Sequence, residues 1–129
     1  MAGYTIAIDV TARDLQEKCK AERSPWLMAK CLDTFCPVGP FISADKIDPL
    51  NTDIQLVIND KVVQKGNTSD LVFSVPVLLE YISAVITLLP GDVVLTGTPD
   101  GVGPLHDGDV LIASIPGVTE ATFNVEDEK

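Results

Sequence analysis

The chain has 129 residues, 46% of them hydrophobic and 22% charged, a length and balance that suit one globular domain and exclude a disordered chain. A domain of this size buries roughly two thirds of the surface its unfolded form exposes, so a core is within reach. Nineteen acidic against nine basic residues give a formal charge of −10, which repels nucleic acid and anionic membranes and sets both aside as partners.

In residues 4–10, Tyr4, Ile6, Ile8 and Val10 share one face of an alternating strand while Thr5, Ala7 and Asp9 share the other. Thr11-Ala12-Arg13-Asp14 follows, a capping-box-like start for a helix running to about Glu22, which sets Asp9 at a strand end beside a helix N-terminus. Ser24-Pro25-Trp26 breaks that helix. Residues 27–40, with Cys-Pro and Gly-Pro breaks, read as an ordered loop leading into a strand near 38–42.

Residues 53–58 and 61–65 flank Asn59-Asp60 and predict a hairpin with a two-residue turn. Ser74 caps a helix whose apolar positions Val77, Leu78, Tyr81, Ile82, Val85 and Ile86 recur at helical spacing, and Pro76 lies in its first turn. That helix should end before Pro90-Gly91. Short strands follow at 92–96, 109–115 and 119–125, and Glu126-Asp127-Glu128-Lys129 reads as solvated tail. The class is α+β, strand-rich, with two helices or so.

Cys19, Cys31 and Cys36 show neither CxxC spacing nor a His/Cys ligand pattern and read as ordinary thiols in a reducing compartment. There is no signal-peptide pattern, so the sequon Asn67-Thr68-Ser69 is not read as a glycosylation site.

Among candidates for chemistry, Asp9 lies on the small-residue face, with Arg13 and Gln16 one helical turn apart just beyond it. Together they could hold a divalent metal and a carboxylate, although an Asp hydrogen-bonded to a turn explains the same residue. Lys30 sits among apolar neighbours, placed either for proton or oxyanion work or simply to snorkel to solvent. Thr96-Gly97-Thr98-Pro99-Asp100-Gly101-Val102-Gly103 lacks the Gly-Lys-[Ser/Thr] ending of a P-loop, and reads as a strand connection or an anion-binding turn. His106 has no second ligand beside it.

Ile8 through Gln16, then Pro25-Trp26 and Ala29-Lys30, then Leu95-Thr96-Gly97-Thr98-Pro99 with Gly101-Val102-Gly103, occur together in order. This ensemble resembles the fumarylacetoacetate hydrolase family, most of all its acylpyruvase and oxaloacetate decarboxylase branch. The resemblance implies a mixed β-roll or barrel-like fold, usually dimeric, with Mg²⁺ or Mn²⁺ held by a Glu-x-Glu pair and an Asp that Asp9 matches. It implies substrate binding by Arg13, Gln16 and Thr98, a lysine at Lys30 that polarises a keto or enolate oxygen, and Thr34 beside the metal.

The activity so implied is cleavage of the bond next to a ketone in small 2-oxo acids, by acylpyruvate hydrolysis or oxaloacetate decarboxylation. Tautomerisation of related oxo-dicarboxylates, and a non-catalytic chain that keeps the fold and dimer interface, are the alternatives. The expected compartment is the cytoplasm or the mitochondrial matrix.

This sequence departs from the family pattern in reading Lys30-Cys31-Leu32-Asp33-Thr34 where Lys-Ser-Phe-Asp-Thr is usual. No Glu-x-Glu precedes Asp9, so the resemblance implies a single catalytic domain over 1–129 that is incomplete at its N-terminus.

Overall fold

A computed structural model describes residues 1–127; Glu128 and Lys129 of the expected tail lie outside the described residues. The predicted hairpin forms as β3 (Asp53–Ile58) and β4 (Lys61–Asn67). Asn59 and Asp60 both take positive φ, 47° and 65°, which a tight two-residue turn demands and which Asn and Asp tolerate. β5 (Val110–Ile115) pairs with β3, and β6 (Thr119–Asn124) pairs with β5, giving an open four-stranded antiparallel sheet in the order β4-β3-β5-β6. Leu111, Ala113 and Ile115 of β5 are all but sealed from solvent, so the core sits beneath this inner strand.

A second, two-stranded sheet joins β1 (Gly3–Tyr4) to β2 (Ile42–Ser43). The expected strand over 4–10 is therefore regular only at its start. Beyond it, Ala7 bridges Val38, Ile8 N–H donates to Pro37 O (3.1 Å) and Val10 N–H to Phe35 O (2.9 Å). Between Tyr4↔Ile42 and Ala7↔Val38, three steps along one segment face four along the other, a bulge. Pro37 and Pro40 offer no N–H from the facing segment, so the two segments stay antiparallel without a continuous ladder.

The described residues form three α-helices, in keeping with the two or so expected: α1 (Arg13–Glu22), α2 (Leu27–Lys30) and α3 (Val75–Ser83). α2 falls just after the Ser24-Pro25-Trp26 break, where an irregular loop was expected. The capping box at Thr11 does not form. Ala12 is the N-cap, with no side-chain bond. Ser74 takes the N-cap position of α3, also without a side-chain bond.

The strand expected at 92–96 is absent, because no strand of the described residues lies beside it to complete a ladder. Around it the chain is poorly covered: Val72, Phe73, Tyr81, Val85 and Ile86 are each more than half exposed. Asn67 of the sequon is tied down instead, its amide nitrogen donating to Asp53 (2.7 Å) and Asn51 (3.1 Å) while its oxygen accepts from Ser69 N–H. No helix among the described residues is long and apolar enough to cross a membrane.

Candidate functional site

Asp9 ends the segment that runs antiparallel to residues 35–43, and α2 brings Lys30 to it. The backbone joins the two directly, for Ala12 N–H donates to Ala29 O at 3.0 Å and Ala29 is fully buried. Lys30 Nζ then lies 2.7 Å from Asp9 Oδ2 and 2.7 Å from Thr11 Oγ1. Thr11 is the residue that sequence reasoning spent on a helix cap; its hydroxyl serves the lysine instead. The signal was present, since Thr11 stands two residues beyond Asp9 and an extended chain turns both to one side.

On the first turn of α1, Arg13 Nη1 donates to Gln16 Oε1 at 3.0 Å. Gln16 is buried, with 4% of its surface accessible, whereas Arg13 is exposed and keeps further guanidinium donors open. Arg13 thus lines the cleft, and Gln16 holds it from behind. Thr34 sits in the turn after α2 with φ of 67°, a left-handed conformation rare for a β-branched residue.

Thr98 lies in the long segment between α3 and β5, and a residue that sequence reasoning missed holds it there. Gln64 of β4 reaches from its amide nitrogen to Thr98 Oγ1 (3.0 Å) and Pro99 O (2.8 Å). His106 stands apart from this cluster, its backbone N–H donating to Asp109 Oδ2 at 2.8 Å.

Asp9, Arg13, Lys30, Thr34 and Thr98 all line one open cleft of about 2850 Å³. A pocket for a small ligand encloses about 300–1,000 Å³. The cleft is therefore not shaped by ligand size alone; it is the uncovered inner face of the sheet and of α3.

Magnesium takes about six oxygens in a near-octahedral shell, usually one or two carboxylates with water and ligand oxygens. Asp9 supplies one carboxylate whose Oδ2 carries the Lys30 ammonium, and no group of three His, Cys, Asp or Glu side chains among the described residues could share a metal. These residues do not by themselves fit a divalent cation.

An α+β, strand-rich chain with an acid, two cations and a hydroxyl lining one open cleft defines the class of scaffold. The model of the fumarylacetoacetate (FAA) hydrolase C-terminal family matches residues 1–126, and the chain belongs to that family. It is 44% identical over 127 residues to the mitochondrial oxaloacetate tautomerase FAHD1 of Bos taurus, covering 98% of this chain and 58% of that protein.

Among solved structures it is similar to a fumarylpyruvate hydrolase from Pseudomonas aeruginosa in complex with Mn²⁺ and pyruvate (34% identity, TM-score 0.92, 98% of this chain and 55% of that one). It is also similar to a 5-carboxymethyl-2-hydroxymuconate delta-isomerase from Mycobacterium smegmatis (46%, TM-score 0.89, 97% and 48%). The chain thus spans about half the length of the relatives it matches.

Proposed function

We propose that this chain carries the 2-oxo-acid-binding wall of an enzyme whose chemistry passes through an enolate. The observation that carries the reading is the Lys30 ammonium, held by Asp9 and Thr11 at 2.7 Å each on the cleft wall. Arg13 faces the substrate carboxylate, for which its planar fork is suited. Thr98 donates to an oxygen of the same ligand, and Lys30 faces the keto oxygen. When a proton leaves the carbon beside the ketone, negative charge grows on that oxygen, and a fixed ammonium there lowers the barrier.

Acylpyruvate hydrolysis, oxaloacetate decarboxylation and keto–enol tautomerisation share this enolate. Tautomerisation asks least of the residues, since it needs no activated water, and among the described residues the hydrogen-bond partners of Asp9, Arg13 and Lys30 include no His or Glu. The names of the relatives, a tautomerase, a hydrolase and an isomerase, support the common intermediate. The proposed cofactor is Mg²⁺ or Mn²⁺, to which Asp9 would offer one ligand.

The direct test follows the ultraviolet absorbance of enol-oxaloacetate with this chain and with Lys30→Met. Ketonisation faster than buffer, lost in the variant, is the expected result; equal rates for both proteins and buffer refute the reading for this chain. One observation favours a second reading, a non-catalytic chain that retains the fold: the cleft is roughly three times the volume of a large ligand pocket. Under either reading the proposed location is the mitochondrial matrix, after the mitochondrial relative, and the proposed assembly is a homodimer. Organelle fractionation and light scattering test the two.

A further inference from the structure

The edge strand β4 carries a defect in its pairing. Leu56 faces Gln64, but Val57 faces Val62, so Val63 is an extra residue with no partner across the ladder. Bulges of this kind bend a strand and re-aim its side chains, and they gather beside functional sites. Here the Thr98 loop is seated on β4 at three places, at the bulge and just beyond it.

A Cβ added to Gly101, which has φ of 99°, would lie 2.0 Å from the carbonyl oxygen of Val63, so the loop backbone passes directly over the unpaired residue. A Cβ on Gly66 would lie 2.7 Å from the Pro99 side chain. Between the two, the Gln64 amide nitrogen contacts Thr98 Oγ1 at 3.0 Å, Pro99 O at 2.8 Å and Asp100 O at 3.4 Å.

The chemistry of those partners decides which way each hydrogen points. Pro99 O and Asp100 O are carbonyls and can only accept, so the nitrogen rather than the oxygen of the Gln64 amide must face them. That nitrogen has two hydrogens, and its two shortest contacts use both. Thr98 Oγ1 is therefore an acceptor toward Gln64. Its own hydrogen is left over, and among the described residues Thr98 donates it to none.

We propose that Gln64 is a positioning residue that orients the Thr98 hydroxyl as a donor, so that the loop selects ligands presenting an anionic acceptor oxygen, a carboxylate or enolate oxygen of a small 2-oxo acid. The inference rests on the reading of Thr98 as ligand-facing and deepens it. It adds the sense of the hydrogen bond and the residue that sets it.

Gln64→Glu tests the sense of the bond. A carboxylate at this position is an acceptor facing two carbonyls and can no longer donate to Thr98; once protonated it again carries a hydrogen to give. The probe is pyruvate, an anion across the whole range used, titrated into this chain and read at the Thr98 and Gly97 amide resonances between pH 8 and pH 5.5.

The expected result is binding about tenfold weaker than wild type in Gln64→Glu at pH 8, the size of one hydrogen bond to a charged group, and recovered toward pH 5.5. Gln64→Leu should be weak at both pH values, and wild type should change little. Gln64→Glu that tracks wild type at both pH values, or stays weak at both, overturns the proposal.

Thr98→Val separates the two levels of the argument. If it binds pyruvate like wild type, or if wild type does not respond to pyruvate at all, the reading of Thr98 is wrong and the inference falls with it. If Thr98→Val is weak while Gln64→Leu is not, only Gln64 is misassigned. Hydrogen exchange at the Asp100 and Gly101 amides shows in each case whether the loop has left its seat.

Discussion

If Lys30 is held for chemistry rather than for the fold, its ion pair should contribute little to stability. The perturbation is a double-mutant cycle of Asp9→Asn, Lys30→Met and both together. At 2.7 Å two unit charges attract by about 1.5 kcal/mol in bulk water and about 6 kcal/mol at an effective dielectric constant of 20. The Lys30 and Asp9 side chains are 29% and 47% accessible, which places the pair near the watery limit. The entropy of holding a long lysine chain in one rotamer offsets part of that, leaving a coupling of about 0.5–1 kcal/mol, the range of exposed pairs. Urea unfolding of the four proteins by circular dichroism measures it. A coupling above about 3 kcal/mol, the range of a buried pair, would mark Lys30 as structural and remove the basis for its catalytic assignment.

Three other outcomes follow from the geometry. Thr34→Gly should raise stability by about 0.5–1 kcal/mol, since relief of the left-handed backbone, about 1–2 kcal/mol, exceeds the added freedom of glycine in the unfolded chain; a lower urea midpoint contradicts the strain. Leu111→Ala should cost about 2–5 kcal/mol and lower the melting temperature by many degrees, as Leu111 is the largest side chain sealed in the core.

The Asp109 carboxyl is held below its ordinary value, first by the His106 backbone N–H and then by the Asn59 side-chain amide. A group so shifted stabilises the fold at pH values above about 3.9, its unfolded value, and the contribution fades as pH falls through the folded value. Asp109→Asn should therefore lower stability at neutral pH and narrow its gap to wild type in strong acid. A gap that does not depend on pH contradicts the assignment.

Much of the architecture is legible in the sequence wherever a local signal suffices. Asn59-Asp60 specifies the hairpin, and the short strands expected at 109–115 and 119–125 appear as β5 and β6 within a residue. Expectation fails where the deciding partner is distant in the chain. Residues 4–10 alternate well enough for a full strand, yet the ladder depends on Pro37 and Pro40 across from them. Residues 92–96 have strand composition but no neighbour among the described strands.

At the site, Asp9 with Arg13 and Gln16 could be grouped because they are close in sequence. Lys30 was joined to Asp9 by resemblance rather than by spacing, being twenty-one residues away. Gln64 was invisible, because its role rests on a bulge that sequence periodicity does not show and on a loop thirty-four residues further along.

The seating of the Thr98 loop on β4 constrains how this fold can diversify. β4 is an outer strand of its sheet, and such strands recruit unwanted partners unless something lies across them. Because the loop proposed to meet the ligand also packs on this strand, Pro99, Asp100 and Gly101 answer to solubility as well as to specificity. Gly97, where an added Cβ meets nothing within 4 Å, has room at its side even though its φ of 118° favours glycine. Changes of substrate preference in this loop should therefore accumulate on its free limb around Thr96 and Gly97, while the limb on the strand stays nearly invariant even among relatives with different ligands.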